Sequence, residues 1–97
     1  MEKKYIRCVE TPDGLCSTIA SSLSETLDTE VAVRDTGDAD FILSTLRQTE
    51  HFVVLRLDER RGSTLVEGQE IEISVMDAEI SPSIYPAIAR GLMSARR

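Results

Sequence analysis

Cys8 and Cys16 are the only cysteines in the chain. They do not form a C-x-x-C pair and no paired histidines accompany them, so a zinc site is not expected. Cys8 lies near the end of a predicted first strand and Cys16 in the first turns of a predicted helix. Such positions meet across a strand-to-helix connection. Two readings stand side by side. A disulfide suits an oxidising compartment and contributes roughly 2–3 kcal/mol in the chain-entropy account. Two reduced, buried thiols behave instead as small hydrophobes. A third reading, a Cys16 thiolate favoured by the helix start, lacks any activating group that the sequence places beside it.

The other reactive side chains carry weaker signals. His51 is the single histidine; pairing it with Cys16 for nucleophilic chemistry requires fold contacts that no spacing supplies. It is expected in or beside a hairpin turn after Thr49 and Glu50, facing solvent. Asp35, Asp38 and Asp40 crowd the segment RDTGDAD and invite calcium, but the spacing does not match an EF-hand loop. A solvated acidic turn is the expectation. Arg56, Arg60 and Arg61 sit near a predicted hairpin tip and could hold an anion or an acidic partner. Asp58 and Glu59 lie among them and neutralise most of that field. The glycines at 14, 37, 62, 68 and 91 are isolated, so no phosphate-cradling loop is present. With no nucleophile–base pair and no metal set, the chain is expected to be non-catalytic and to take no cofactor.

The 97 residues suit a single α+β domain over 1–97 with one core of modest depth. Aromatic residues make up 4% of the chain and tryptophan is absent, so that core must be built from Ile, Leu and Val. The net charge of −6 argues against nucleic acid, which requires clustered Lys and Arg, and against an anionic membrane surface. No stretch approaches the ~20 apolar residues of a transmembrane span. Two lysines open the chain in MEKKYIRCVE, yet no apolar run of an export signal follows them. A signal already removed and a signal never present are both compatible with this.

The elements that position these residues follow from periodicity. KYIRCVE, residues 4–10, reads as a short strand. TPD follows, with Thr11 capping a helix begun at Pro12, or Asp13 capping it one step later. Leu15, Ile19, Leu23 and Leu27 recur every four residues and define an amphipathic helix. TEVAVRD, FILSTLRQ and TEHFVVLRLDE read as strands, with RRGS as the hairpin tip. In TLVEGQEIEISVMD, Ile71, Ile73 and Val75 alternate with Glu70, Glu72 and Ser74, the clearest period of two in the chain. Gly68 interrupts this run as a bulge or bend. Ser81 and Pro82 then start a second helix, with Ile80 and Tyr85 as its staple and Asp77 and Glu79 ahead of its positive end. Pro86 makes its first turn irregular or delays the regular helix. Ile84, Ile88 and Leu92 form its apolar stripe, Gly91 interrupts it, and Arg96 and Arg97 close it.

The order is therefore β-α-β-β-β-β-α. It implies a two-layer α+β domain with a mostly antiparallel sheet of four or five strands and two helices on one face. Arg47, Arg56, Glu70 and Glu72 are expected on the open face as cross-strand charge pairs.

This order, with VAVRDTGDADFIL, a hairpin over residues 41–76 and YPAIARGL, resembles the amino-terminal domain of TolB and related lipoprotein assembly factors. The propeller of TolB has no counterpart here. The resemblance implies a non-enzymatic role in the bacterial envelope: docking, complex assembly, or capture of a protein strand. A protein partner or a second copy would then add to an exposed sheet edge. On this reading the chain is periplasmic or envelope-associated, and Tyr85 with the irregular turn belongs to a partner groove. The competing expectation, from the missing signal and the low cysteine count, is a cytoplasmic module that self-associates or binds a small ligand.

Overall fold

The four-residue spacing of Leu15, Ile19 and Leu23 becomes the buried stripe of a helix, α1 (Asp13–Leu27), in which Ile19 and Leu23 are fully enclosed. The structure is a computed structural model that describes residues 3–76 and 79–95. The expected contributions of Asp77, Arg96 and Arg97 lie outside these residues. α1 follows strand β1 (Lys4–Val9) and leads into a short strand, β2 (Val31–Val33). Thr11 does not cap the helix. Pro12 occupies the cap position with no side-chain cap bond, and the Thr11 hydroxyl instead bonds the Val9 carbonyl and Thr45 Oγ1. At the other end Asp28 takes a left-handed conformation, φ 53°, one of the few residue types that tolerates it. Ser24 then ties helix to strand: its carbonyl accepts the Thr29 N–H and its hydroxyl accepts the Val31 N–H at 2.9 Å.

Strands β3 (Phe41–Gln48) and β4 (Phe52–Arg61) form the long hairpin at the middle of the sheet. Leu43 faces Leu57 and Thr45 faces Leu55, and the register shifts once between Thr45 and Arg47, leaving Leu46 as the extra residue of a bulge. The last lane is shared by β5 (Thr64–Val66) and β6 (Glu70–Ser74), both antiparallel to β4. The full order is β2-β1-β3-β4-β5, with β6 continuing the lane of β5 along β4. The sheet is mixed. β1 runs parallel to both of its neighbours, with Lys4 opposite Val31 and Ile6 opposite Phe41, while every contact of β4 is antiparallel. A parallel pair needs a crossover connection, and α1 provides it between β1 and β2.

After β6 the chain makes one tight turn at Pro82–Ile84 and continues as α2 (Tyr85–Ala95). The two prolines explain this. Pro82 presets the turn, and Pro86 falls in the first turn of the regular helix, where its missing N–H leaves no broken bond. Ser81 caps nothing with its side chain, which bonds Ser83 Oγ at 2.8 Å. Tyr85 lies over Gly14, whose missing Cβ lets the ring approach α1.

Both helices cover one face of the sheet. Ile6, Phe41, Leu43, Val53, Leu55 and Leu57 meet Leu15, Ile19, Leu23, Ile88 and Leu92 in one core. Each such apolar side chain, fully enclosed, is worth about 1.5–3 kcal/mol over its exposed state. The opposite face has no helix among the described residues. The architecture is thus α+β in two layers.

Candidate functional site

The disulfide sits where β1 enters α1. Cys8 on the core side of β1 is bonded to Cys16 in the first turns of the helix, with S–S 2.03 Å and Cα–Cα 6.2 Å. Cys16 is buried and Cys8 packs partly against the core. Neither sulfur is left as a thiol, so no thiolate chemistry is available to the oxidised chain.

Beyond β4 the sheet ends in the lane shared by β5 and β6. The hairpin tip is two residues long, Gly62 and Ser63, not the four residues RRGS; Arg60 and Arg61 belong to β4. Gly62 has φ +64°, which a two-residue turn requires at its first position and which glycine meets without strain. Such a loop is closed by a hydrogen-bonded pair, here Arg61 and Thr64. Antiparallel ladders alternate, so the Leu65 N–H and C=O point away from β4. In the same phase, on the other side of β4, the Arg60 N–H donates to the Asp40 carbonyl at 2.8 Å. In β6 the Val75 N–H donates to the His51 carbonyl at 2.7 Å. That places Ile71 and Ile73 toward β4 and turns the backbone groups of Glu70, Glu72 and Ser74 outward. Among the described residues no strand pairs with this outer side.

Gly68 breaks the edge into two. A Cβ built on it would overlap the Leu57 carbonyl oxygen, so only glycine allows the backbone to close in here. Its N–H donates to Asp58 Oδ1 at 3.1 Å. Asp58 is 3% exposed although it lies on the helix-free face. The same carboxylate takes Arg56 Nε at 2.9 Å and Arg56 Nη2 at 3.3 Å. The hydrogen bonds that Arg56 donates to Asp58, and then the charge of that carboxylate, raise the pKa of the Arg56 guanidinium above its ordinary value, with smaller help from Glu67 and Glu70. The expected cross-strand charge pairs are corrected accordingly. Arg56 stands opposite Glu70 in register but makes its ion pair with Asp58, two residues along its own strand, and Arg47 stands opposite Val54. The carboxylate wins because it is close enough to accept two guanidinium bonds at once.

Beside this break, on the helix face, the β4–β5 hairpin, the start of β6 and the end of α2 line a pocket of about 270 Å³. Leu57, Ile71 and Leu92 form its floor, Val66 and Ala95 its walls, and Glu59 and Arg61, 4.0 Å apart, part of its rim. This is below the ~300–1,000 Å³ usual for small-molecule sites. It fits one or two side chains of another polypeptide.

The remaining candidates are scattered. His51 is exposed in the β3–β4 turn, where its N–H bonds Thr49 Oγ1. The acidic turn is partly structural: Asp40 Oδ2 accepts the Tyr5 N–H at 2.9 Å. Among the described residues no group of three or more His, Cys, Asp or Glu is placed to hold a metal. Arg56, Arg60 and Arg61 do not converge. Arg61 belongs to the helix-face pocket, while Arg60 lies on the opposite face and donates to the Ala39 carbonyl. Tyr85 packs partly against the core and lies over Gly14 of α1. Gly91 lies beside Ile73, and a Cβ there would make ordinary contact at 3.8 Å. No helix of the described residues is long and apolar enough to cross a membrane.

No protein-family model matches the chain, and none of the curated proteins matches it.

Proposed function

We propose that the chain is a non-catalytic protein-binding or assembly module of an oxidising compartment, the bacterial envelope on the TolB-like order of its elements. Its partner contributes an extended segment along the outer side of β5 and β6. The observation that carries this reading is the row of outward backbone groups at Leu65, Glu70, Glu72 and Ser74, beside which no strand lies among the described residues. Main-chain bonds give such a contact its affinity, and alternate side chains give it specificity. The adjoining pocket takes one apolar side chain of the partner between Val66 and Leu92. On the opposite face, Glu70 and Glu72 favour Lys or Arg at alternate positions of the partner.

The edge is also guarded. The Gly68 break and the paired glutamates discourage indiscriminate pairing with any passing strand, so a fitting partner must match both the charge and the pocket. The disulfide of Cys8 and Cys16 supports the compartment, since such bonds persist where thiols are not kept reduced.

Leu65→Pro tests the reading. It removes the outward N–H while leaving the bonds to β4 in place, as edge prolines do. In extracts of the native host, the wild-type chain is expected in a complex larger than itself on native gels. The variant, folded by circular dichroism, is expected at the size of the free chain. Equal migration of both in the complex would remove the edge as the docking route. A wild-type complex of exactly two copies would point instead to self-association through the same edge.

A further inference from the structure

Three arginines meet at one turn on the helix-free face. Arg7 of β1 donates from Nη1 to the Gly37 carbonyl at 3.4 Å. Arg34, just past β2, donates from Nη1 to the Asp38 carbonyl at 2.8 Å. Arg60 of β4 donates from Nε to the Ala39 carbonyl at 3.1 Å. Three consecutive carbonyls thus anchor three guanidiniums from separate parts of the sheet. A guanidinium has five N–H donors, and holding the turn uses one from each. Arg7 Nε is buried, and no described atom accepts its proton. Among the described residues no carboxylate lies within 4.0 Å of any of the three guanidiniums.

A ring contact adds to these bonds. The Arg34 guanidinium lies 3.6 Å from the centroid of the Tyr5 ring, a stacking that fixes its plane. Arg34 and Arg60 then flank a pocket of about 220 Å³ lined also by Tyr5, Asp38 and Asp40. Clamping a turn needs only neutral donors. Among the described residues none of the three is in an ion pair, so on a chain of net charge −6 they present more positive charge than the turn requires.

We propose that this pocket is a carboxylate-binding subsite, separate from the β5–β6 edge. The planar fork of Arg34 or Arg60 matches the two oxygens of a carboxylate. A phosphate dianion suits the pocket less, because Asp38 and Asp40 line the same space and repel the second charge. The carboxylate comes either from a free organic acid or from an Asp or Glu side chain of an acidic segment.

Amide NMR of the full chain tests the subsite without any protein partner. Sodium acetate, an acetylated tetraglutamate peptide and inorganic phosphate are titrated separately at constant ionic strength. Acetate or the peptide is expected to shift the signals of Tyr5, Arg34, Arg60 and residues 38–40 saturably. Equal affinity per carboxylate assigns a free acid as the ligand, and much tighter peptide binding assigns an acidic segment. Arg60→Gln and Arg34→Lys are each expected to weaken binding about tenfold or more. The wild-type titration stands whether or not either variant folds. Shifts that never saturate, or phosphate binding more tightly than either carboxylate probe, would overturn the proposal.

Discussion

The Asp58 carboxylate accepts the Gly68 N–H at 3.1 Å, and this bond marks the point where the outer lane of the sheet divides into β5 and β6. Because Asp58 is buried, removing it leaves that N–H without its acceptor. Asp58→Ala is expected to lose about 1–3 kcal/mol of stability, the usual cost of orphaning a buried donor. Asp58→Asn, which keeps an acceptor oxygen, is expected to lose less. Urea unfolding of both variants measures this, and equal stability of Asp58→Ala and wild type would show that the bond contributes nothing.

Two glycines predict opposite signs. At Gly68 an added methyl meets the Leu57 carbonyl oxygen, a backbone atom that has no rotamer by which to retreat. Gly68→Ala is expected to cost about 1–3 kcal/mol, as overpacking does. At Gly91 the added methyl meets the Ile73 side chain at an ordinary 3.8 Å, and an alanine suits the helix interior better by about 1 kcal/mol. Gly91→Ala is therefore expected to raise the melting temperature. A fall would mean that α2 needs the glycine for its approach to β6.

Much of this architecture was readable because local periods survive into the fold. The stripe at Leu15, Ile19 and Leu23 became the buried side of α1, and the alternation of Ile71 and Ile73 with Glu70 and Glu72 became β6. What failed was set by tertiary partners. Thr11 is drawn from the cap position to Thr45 on a neighbouring strand. The insertion of β1 between β2 and β3 depends on long-range pairing, which no local pattern encodes. Period two does separate Arg60 from Arg61, but it does not reveal that Arg60 joins Arg7 and Arg34 at carbonyls 37–39. The pocket is the space between the hairpin and the end of α2, so no residue type announces it.

The disulfide spans a short loop, with a sequence separation of 8, so its entropic contribution is modest. Cys8→Ala combined with Cys16→Ala is expected to lower stability by about 2–3 kcal/mol. The same fall is expected when the wild type unfolds in the presence of a reductant. If reductant left the urea midpoint unchanged, the bond would have no stabilising role.

The alternation along the outer lane has a signature in the isolated monomer. The amides of Leu65, Glu70 and Glu72 are expected to exchange with solvent quickly, and those of Val66, Ile71 and Ile73 slowly, since only the second set faces β4. Hydrogen exchange followed by NMR reads each amide separately. Uniform protection along 64–74 in a dilute sample would mean that the edge is already occupied.

The most direct test of strand capture places a photo-crosslinking amino acid at Leu65 or Glu72, on the edge, and at Ser21, on the exposed side of α1. Each variant is irradiated in the native host. Capture at the edge predicts discrete protein adducts from positions 65 and 72 and none of the same mass from position 21, with the adducts lost when the edge also carries a proline. No edge adduct, or the same adducts from all three positions, would contradict it.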